Sequence, residues 1–92
     1  MADTQGLIPG RRVDWPDGLM NPGEYAKHPD TRVWFAMTPN GHYANLARHT
    51  VTEHDDGTIT VAPSILVTAP APSGVKSERW HGYLERGIWR AV

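Results

Sequence analysis

Trp80-His81-Gly82-Tyr83-Leu84-Glu85-Arg86-Gly87-Ile88-Trp89 is the stretch whose reading decides the fold. Arg86-Gly87 separates two short runs rich in aromatic and branched residues, which suits a two-residue hairpin turn with Gly87 at positive φ. In that register Leu84 faces Trp89 and Gly82 faces Ala91. Side chains alternate across a strand, so Trp80, Leu84 and Trp89 share one face. His81, Tyr83, Glu85, Ile88 and Arg90 share the other. The first set predicts a core face, with Gly82 leaving space for an indole.

Upstream, Thr50-Val51-Thr52-Glu53-His54 and Thr58-Ile59-Thr60-Val61 flank Asp55-Asp56-Gly57. A two-residue Asp56-Gly57 loop mixes polar and apolar residues on each face. A three-residue loop pairs Val51 with Val61, puts Ile59 on the same face and places Gly57 in the left-handed position of a bulge. One coherent apolar face favours the three-residue loop. Pro63 cannot donate to a ladder, so a kink or an edge is expected there. Ala69 to Ser77, rich in Pro, Ala, Ser and Gly, reads as an exposed loop. Arg32 to Thr38 reads as a strand ending at the Pro39-Asn40-Gly41 turn. His42 to Ala47 is open between a strand and a helical turn.

Met1 to Asp30 is dense in punctuation: Pro9-Gly10, Pro16, Asp17-Gly18, Asn21-Pro22-Gly23 and Pro29. Such density breaks both helix and ladder. The expectation is an all-β (mainly β) chain. Residues 1–31 are expected to form an extended, irregular Pro/Gly-rich N-terminal arm pinned by Trp15, Leu19 and Tyr25, or else a partly disordered tail. Residues 32–92 form a small antiparallel sheet of hairpins.

At 92 residues there is room for one domain. Its core is modest, and no cysteine is present to staple it. A net charge of -1 lacks the basic excess of a nucleic-acid binder. No apolar run approaches the ~20 residues that span a bilayer. Met1 to Gly10 has neither the basic nor the apolar part of a signal peptide. The expected location is the cytoplasm, with a virion as the alternative.

Five histidines are many for this length. His42, His49, His54 and His81 are the candidate metal ligands, the first three near Glu53, Asp55 and Asp56. Their spacings match no metal motif, and alternation sends Glu53 and His54 to opposite faces. Ser64 with His81 and an acid is a conceivable nucleophile set, but it lacks the Gly-x-Ser-x-Gly elbow. Of the four tryptophans, Trp34, Trp80 and Trp89 suit a core. Trp15 and Tyr25 in the arm, with Tyr83 on the outer face of the last hairpin, are the candidate interaction residues.

Gly57-Thr58-Ile59-Thr60-Val61-Ala62-Pro63-Ser64-Ile65, followed by Trp80 to Trp89, resembles the domain-of-unknown-function 6527 family. Members of that family look like Gly-x-Ile-Thr-Leu-x-Pro-Ser-Ile, then Cys-x-x-His, then a closing aromatic hairpin. The likeness runs from Val33 to Trp89. It implies the small β fold and an origin among bacteria and phages, with short cysteine-free versions typical of actinobacteria and their phages. Family members that bind zinc would do so through cysteines near the Pro39-Asn40-Gly41 turn and before the histidine. Here Thr38, Asn40 and Glu78 stand in that neighbourhood, and His81 alone matches a ligand position. The resemblance therefore supplies no activity.

The reading that results is a non-enzymatic interaction or accessory protein without a cofactor. It acts on a protein partner or on a second copy as a homo-oligomer, through the arm and an exposed sheet edge. A virion accessory protein, and a small histidine-based metal-binding protein or hydrolase, are the alternatives.

Overall fold

The computed structural model describes residues 7–70 and 76–92, and every regular element among them is a strand. These are β1 (Leu7–Pro9), β2 (Arg11–Arg12), β3 (Glu24–Lys27), β4 (Trp34–Met37), β5 (Tyr43–Asn45), β6 (Thr50–Glu53), β7 (Ile59–Pro70), β8 (Lys76–Glu85) and β9 (Ile88–Ala91). They form two sheets, one of five strands in the order β1-β9-β8-β7-β6 and one of four in the order β2-β3-β4-β5. All pairings are antiparallel except β2 with β3, which is parallel. The all-β expectation holds.

The C-terminal hairpin has the register its turn dictates: Leu84 pairs with Trp89 and Gly82 with Ala91. Arg86 and Gly87 both take positive φ, 45° and 77°. That is the primed turn whose twist matches its strands. Leu84 and Trp89 are fully buried and Trp80 nearly so. The two indoles meet edge to face, 5.3 Å between centroids, a geometry worth about 1 kcal/mol beyond its area. Gly82 lies under the Trp80 ring: a Cβ there would stand 2.8 Å from Trp80 Cζ2.

The three-residue loop is also found. Val51 pairs with Val61, His54 and Thr58 close the turn, and Gly57 has φ 88°. The register of β7 shifts between Val61 and Ile65, around Pro63, where a kink was expected. His42 to Ala47 resolves as a strand, since Tyr43 to Asn45 pair with β4. The loop expected over Ala69 to Ser77 is shorter than read. Ala69 pairs with Ser77 and Pro70 with Lys76, while 71–75 lie outside the described residues.

The N-terminal segment departs from the reading of an irregular arm. From residue 7 onward it supplies β1 to the five-stranded sheet and β2 and β3 to the other. The chain crosses between sheets at Gly10, whose amide donates to the Gly87 carbonyl at 2.6 Å. A Cβ at Gly10 would lie 2.8 Å from Trp89 Nε1 and 2.9 Å from the Gly87 carbonyl oxygen, so the backbone passes where a side chain could not. The single thin sheet expected from residues 32–92 could not cover its own indoles. The second sheet does so, with Tyr25, Trp34, Ala36, Ala44 and Leu46 packed on Ile59, Val61, Ile65, Trp80, Leu84 and Trp89.

Candidate functional site

Alternation settles where the outer aromatic residues stand. In β4, Trp34 and Ala36 face the core, so Phe35 and Met37 point away from it. In β5, Ala44 is buried, so Tyr43 and Asn45 point outward beside them, paired with Met37 and Phe35. Residues 13–20 lie over this outer face, where Met20 buries against Ala26 and Met37 with Val13 and Phe35 alongside. Trp15 crosses the same face. Its ring meets Phe35 edge-on at 5.3 Å and His28 edge-on at 4.7 Å. His28 is itself fixed, because its Nδ1 accepts the amides of Asp30 and Thr31.

Trp15, Phe35, Tyr43 and Asn45 line a shallow groove of about 340 Å³. Trp15 keeps 38% of its surface exposed and Tyr43 41%, and Leu19 projects into solvent nearby in the chain. The Tyr43 hydroxyl accepts the Met20 amide at 3.1 Å, tying the covering segment to β5. Aromatic residues held this rigidly yet left wet are typical of binding surfaces.

Of the three predicted interaction residues, Trp15 alone is in this groove. Tyr25 is a correction: it is 1% exposed, with its ring in the inter-sheet core against Trp34. Burial pushes its phenol above the ordinary tyrosine range. Tyr83 stands half-buried on the outer face of the five-stranded sheet, under the Arg90 guanidinium at 4.4 Å. Phe35, Tyr43 and Asn45 were not named from sequence. The signal was present in Trp34-Phe35, because two adjacent aromatic residues in one strand cannot both face a single core.

No three of the candidate metal ligands gather among the described residues. His54 Nε2 bonds Thr60 Oγ1 at 2.7 Å, His49 Nε2 bonds the Ser64 carbonyl at 3.3 Å, and His81 Nε2 bonds Ser64 Oγ at 3.0 Å. His42 sits on the 38–42 turn, its amide bonded to Thr38 Oγ1. Among the described residues no three His, Asp or Glu side chains converge on a point that could hold a metal ion. The zinc positions implied by the resemblance are also ill-suited. Thr38 Oγ1 donates to Asn40 Oδ1 at 2.6 Å, and Asn40 Nδ2 donates to the Arg79 carbonyl at 2.9 Å. Neutral oxygens already engaged with each other, without a thiolate, do not fit zinc.

No protein-family model matches the chain, and neither a curated protein nor a solved structure matches it at a significant level.

A second polar cluster closes one side of the sheet pair. Glu53 bonds Arg12 at 2.7 Å and Lys27 at 3.4 Å, and both cations lie over the Trp34 ring, at 5.0 and 5.4 Å. The hydrogen bond from Arg12 holds the Glu53 carboxyl below the usual range. Arg11, Arg12, Asp14, Asp56 and Thr58 line the adjoining open groove, about 630 Å³ in volume. Its cations and carboxylates balance, and Arg12 is committed to Glu53, which leaves a covering role over Trp34.

Proposed function

We propose that this chain is a non-enzymatic interaction module that binds another protein through the outer face of its four-stranded sheet. The observation that carries the reading is the Trp15–Phe35–Tyr43 groove, aromatic and pinned in place but uncovered. Among the described residues no helix is long and apolar enough to cross a bilayer. Kinship with the domain-of-unknown-function 6527 family, an origin in an actinobacterium or its phage, and an accessory role in the cytoplasm or a virion belong to the same proposal. They rest on the Gly57–Ile65 and Trp80–Trp89 motifs. A photo-crosslinking residue at Tyr43 tests the reading in expressing cells. It should capture a defined partner that the same residue at Ile88, exposed on the outer face of the other sheet, does not. Equal or no capture at the two positions removes it.

The hydrolase reading has one observation in its favour, the 3.0 Å contact between Ser64 Oγ and His81 Nε2. The pair stands on the outer face of the five-stranded sheet and lines neither of the two grooves above. Among the described residues His81 Nδ1 has no carboxylate to orient it, so two of the features that activate a serine are missing. The groove reading is the better supported.

A further inference from the structure

Resting on that interaction reading, we propose that the Trp15 groove recognises a proline-rich segment of its partner, held extended in the polyproline II form and carrying a basic residue beside the prolines.

The argument begins with what the groove has to offer. Its floor is aromatic, from Trp15, Phe35 and Tyr43. Each of its polar groups has a proton to give. The Tyr43 hydroxyl already accepts the Met20 amide, so its own proton is left to give. Asn45 Oδ1 already accepts the Ala47 amide at 2.9 Å, so its Nδ2 amide is left to give. Trp15 Nε1–H can only donate and has no acceptor among the described residues. A partner that brings carbonyls answers all three donors at once.

A polyproline II segment does this. Proline has no N–H, and the form makes no internal hydrogen bonds, so its carbonyls point outward. Its rings are flat, apolar and already ordered, which suits ridges between aromatic side chains. An α-helix spends its carbonyls internally. Charge points the same way: Asp17, two residues from Trp15, is exposed and makes no ion pair among the described residues. A lysine or arginine next to the prolines would answer it.

The test is a titration of the ¹⁵N-labelled full chain with an arginine followed by a run of about nine prolines, the run being long enough for three turns of the form. Controls are an arginine followed by Gly-Ser repeats and an amphipathic Leu/Lys helix. The expected result is movement of the Trp15 indole N–H and the Asn45 side-chain amide, with Kd on the order of 100 µM. Trp15→Ala should abolish it. Tyr43→Phe, which keeps the ring and removes the donor, should weaken it by about threefold to tenfold. Tyr83→Ala, on the other sheet, should bind as the parent does. No movement at Trp15 with the proline peptide at millimolar concentration overturns the inference, as does equal movement with Gly-Ser. Movement with the helical peptide alone overturns it and leaves the interaction reading standing. Concentration-dependent shifts at Trp15 without peptide overturn it in favour of a second copy. Failure of both the peptides and the Tyr43 crosslink removes the two readings together.

Discussion

The indole N–H of Trp89 donates to the carbonyl of Gly23 across 2.9 Å of buried space. This bond joins the last strand of the five-stranded sheet to the entry of β3 in the other, 66 residues away in the chain. It makes Trp89 both the largest fully buried side chain and a polar link between the two sheets. Inside a protein a donor and acceptor so placed are each costly to leave alone.

Trp89→Ala should therefore destabilise the fold by about 3–5 kcal/mol, the range for truncating a buried large aromatic. Trp89→Phe keeps most of the apolar contact but strands the Gly23 carbonyl, and should cost about 2–3 kcal/mol. Tyr83→Ala, on the outer face, should cost under about 1 kcal/mol. Urea unfolding of the three variants ranks them. Equal losses at Tyr83 and Trp89 would mean that the outer face is also covered.

Gly82→Ala probes packing from the opposite sense. The added Cβ would press on the Trp80 ring and the Arg90 carbonyl, closer than a side-chain carbon can sit, so one of them must shift. The expected loss is about 1–3 kcal/mol, the cost of overpacking a filled core. Trp80→Phe in the same chain shortens the ring and should return part of it. A double-mutant cycle showing strict additivity would contradict the contact.

Acid should unfold the protein partly through Glu53 and Asp56. The Arg12 hydrogen bond lowers the first, and the Thr58 hydroxyl and amide, at 2.6 and 3.0 Å, lower the second. A carboxyl depressed in the folded state adds stability above its unfolded pKa, about 4, and loses it as pH falls through the folded value. Melting temperature should thus be insensitive to these groups above pH ~5 and fall below pH ~4. Glu53→Gln should flatten that fall, most visibly at low salt because the ion pairs are exposed. An unchanged acid slope in that variant would contradict the assignment.

Ser64 should behave as a structural hydroxyl. Its bond to His81 closes the outer surface at the β7 register shift, where the ladder is interrupted. Ser64→Ala should cost about 1 kcal/mol or less. A fluorophosphonate probe should leave the chain unlabelled. Labelling at Ser64 that disappears in His81→Ala would establish the hydrolase reading instead.

What the sequence discloses is what it encodes locally. Arg86-Gly87 and Asp55-Asp56-Gly57 set their registers within a dozen residues, and the faces of Trp80, Leu84, Trp89, Val51 and Val61 follow by alternation. β1, β2 and β3 escape such reading, being only two to four residues long and lying among prolines and glycines. Their partners are remote, as in Leu7 with Arg90. Burial of Tyr25 is the same kind of fact, since it depends on a second sheet that no local pattern announces. Trp15 could be named because it sits outside any strand, whereas its neighbours Phe35 and Tyr43 reach the groove only through the pairing of β4 with β5.

The same contrast gives the last prediction. Were residues 1–30 an appendage, a chain beginning at Thr31 would fold and lose only a contact surface. The described part of that segment instead supplies three strands, the buried side chains of Met20, Tyr25 and Ala26, and the carbonyl that accepts the Trp89 indole. Removing it uncovers one face of Trp89 and Trp34 and leaves the edges of β9 and β4 unpaired. Tyr25 and Met20 alone represent about 3–6 kcal/mol of burial, against a total of about 5–15 kcal/mol for a small domain. The shortened chain should show collapsed amide dispersion, or aggregate through its bared edges. A dispersed, monomeric spectrum with the β8–β9 hairpin intact would show that β4 to β9 stand without β1, β2 and β3. The N-terminal strands would then be a detachable cover over the indoles.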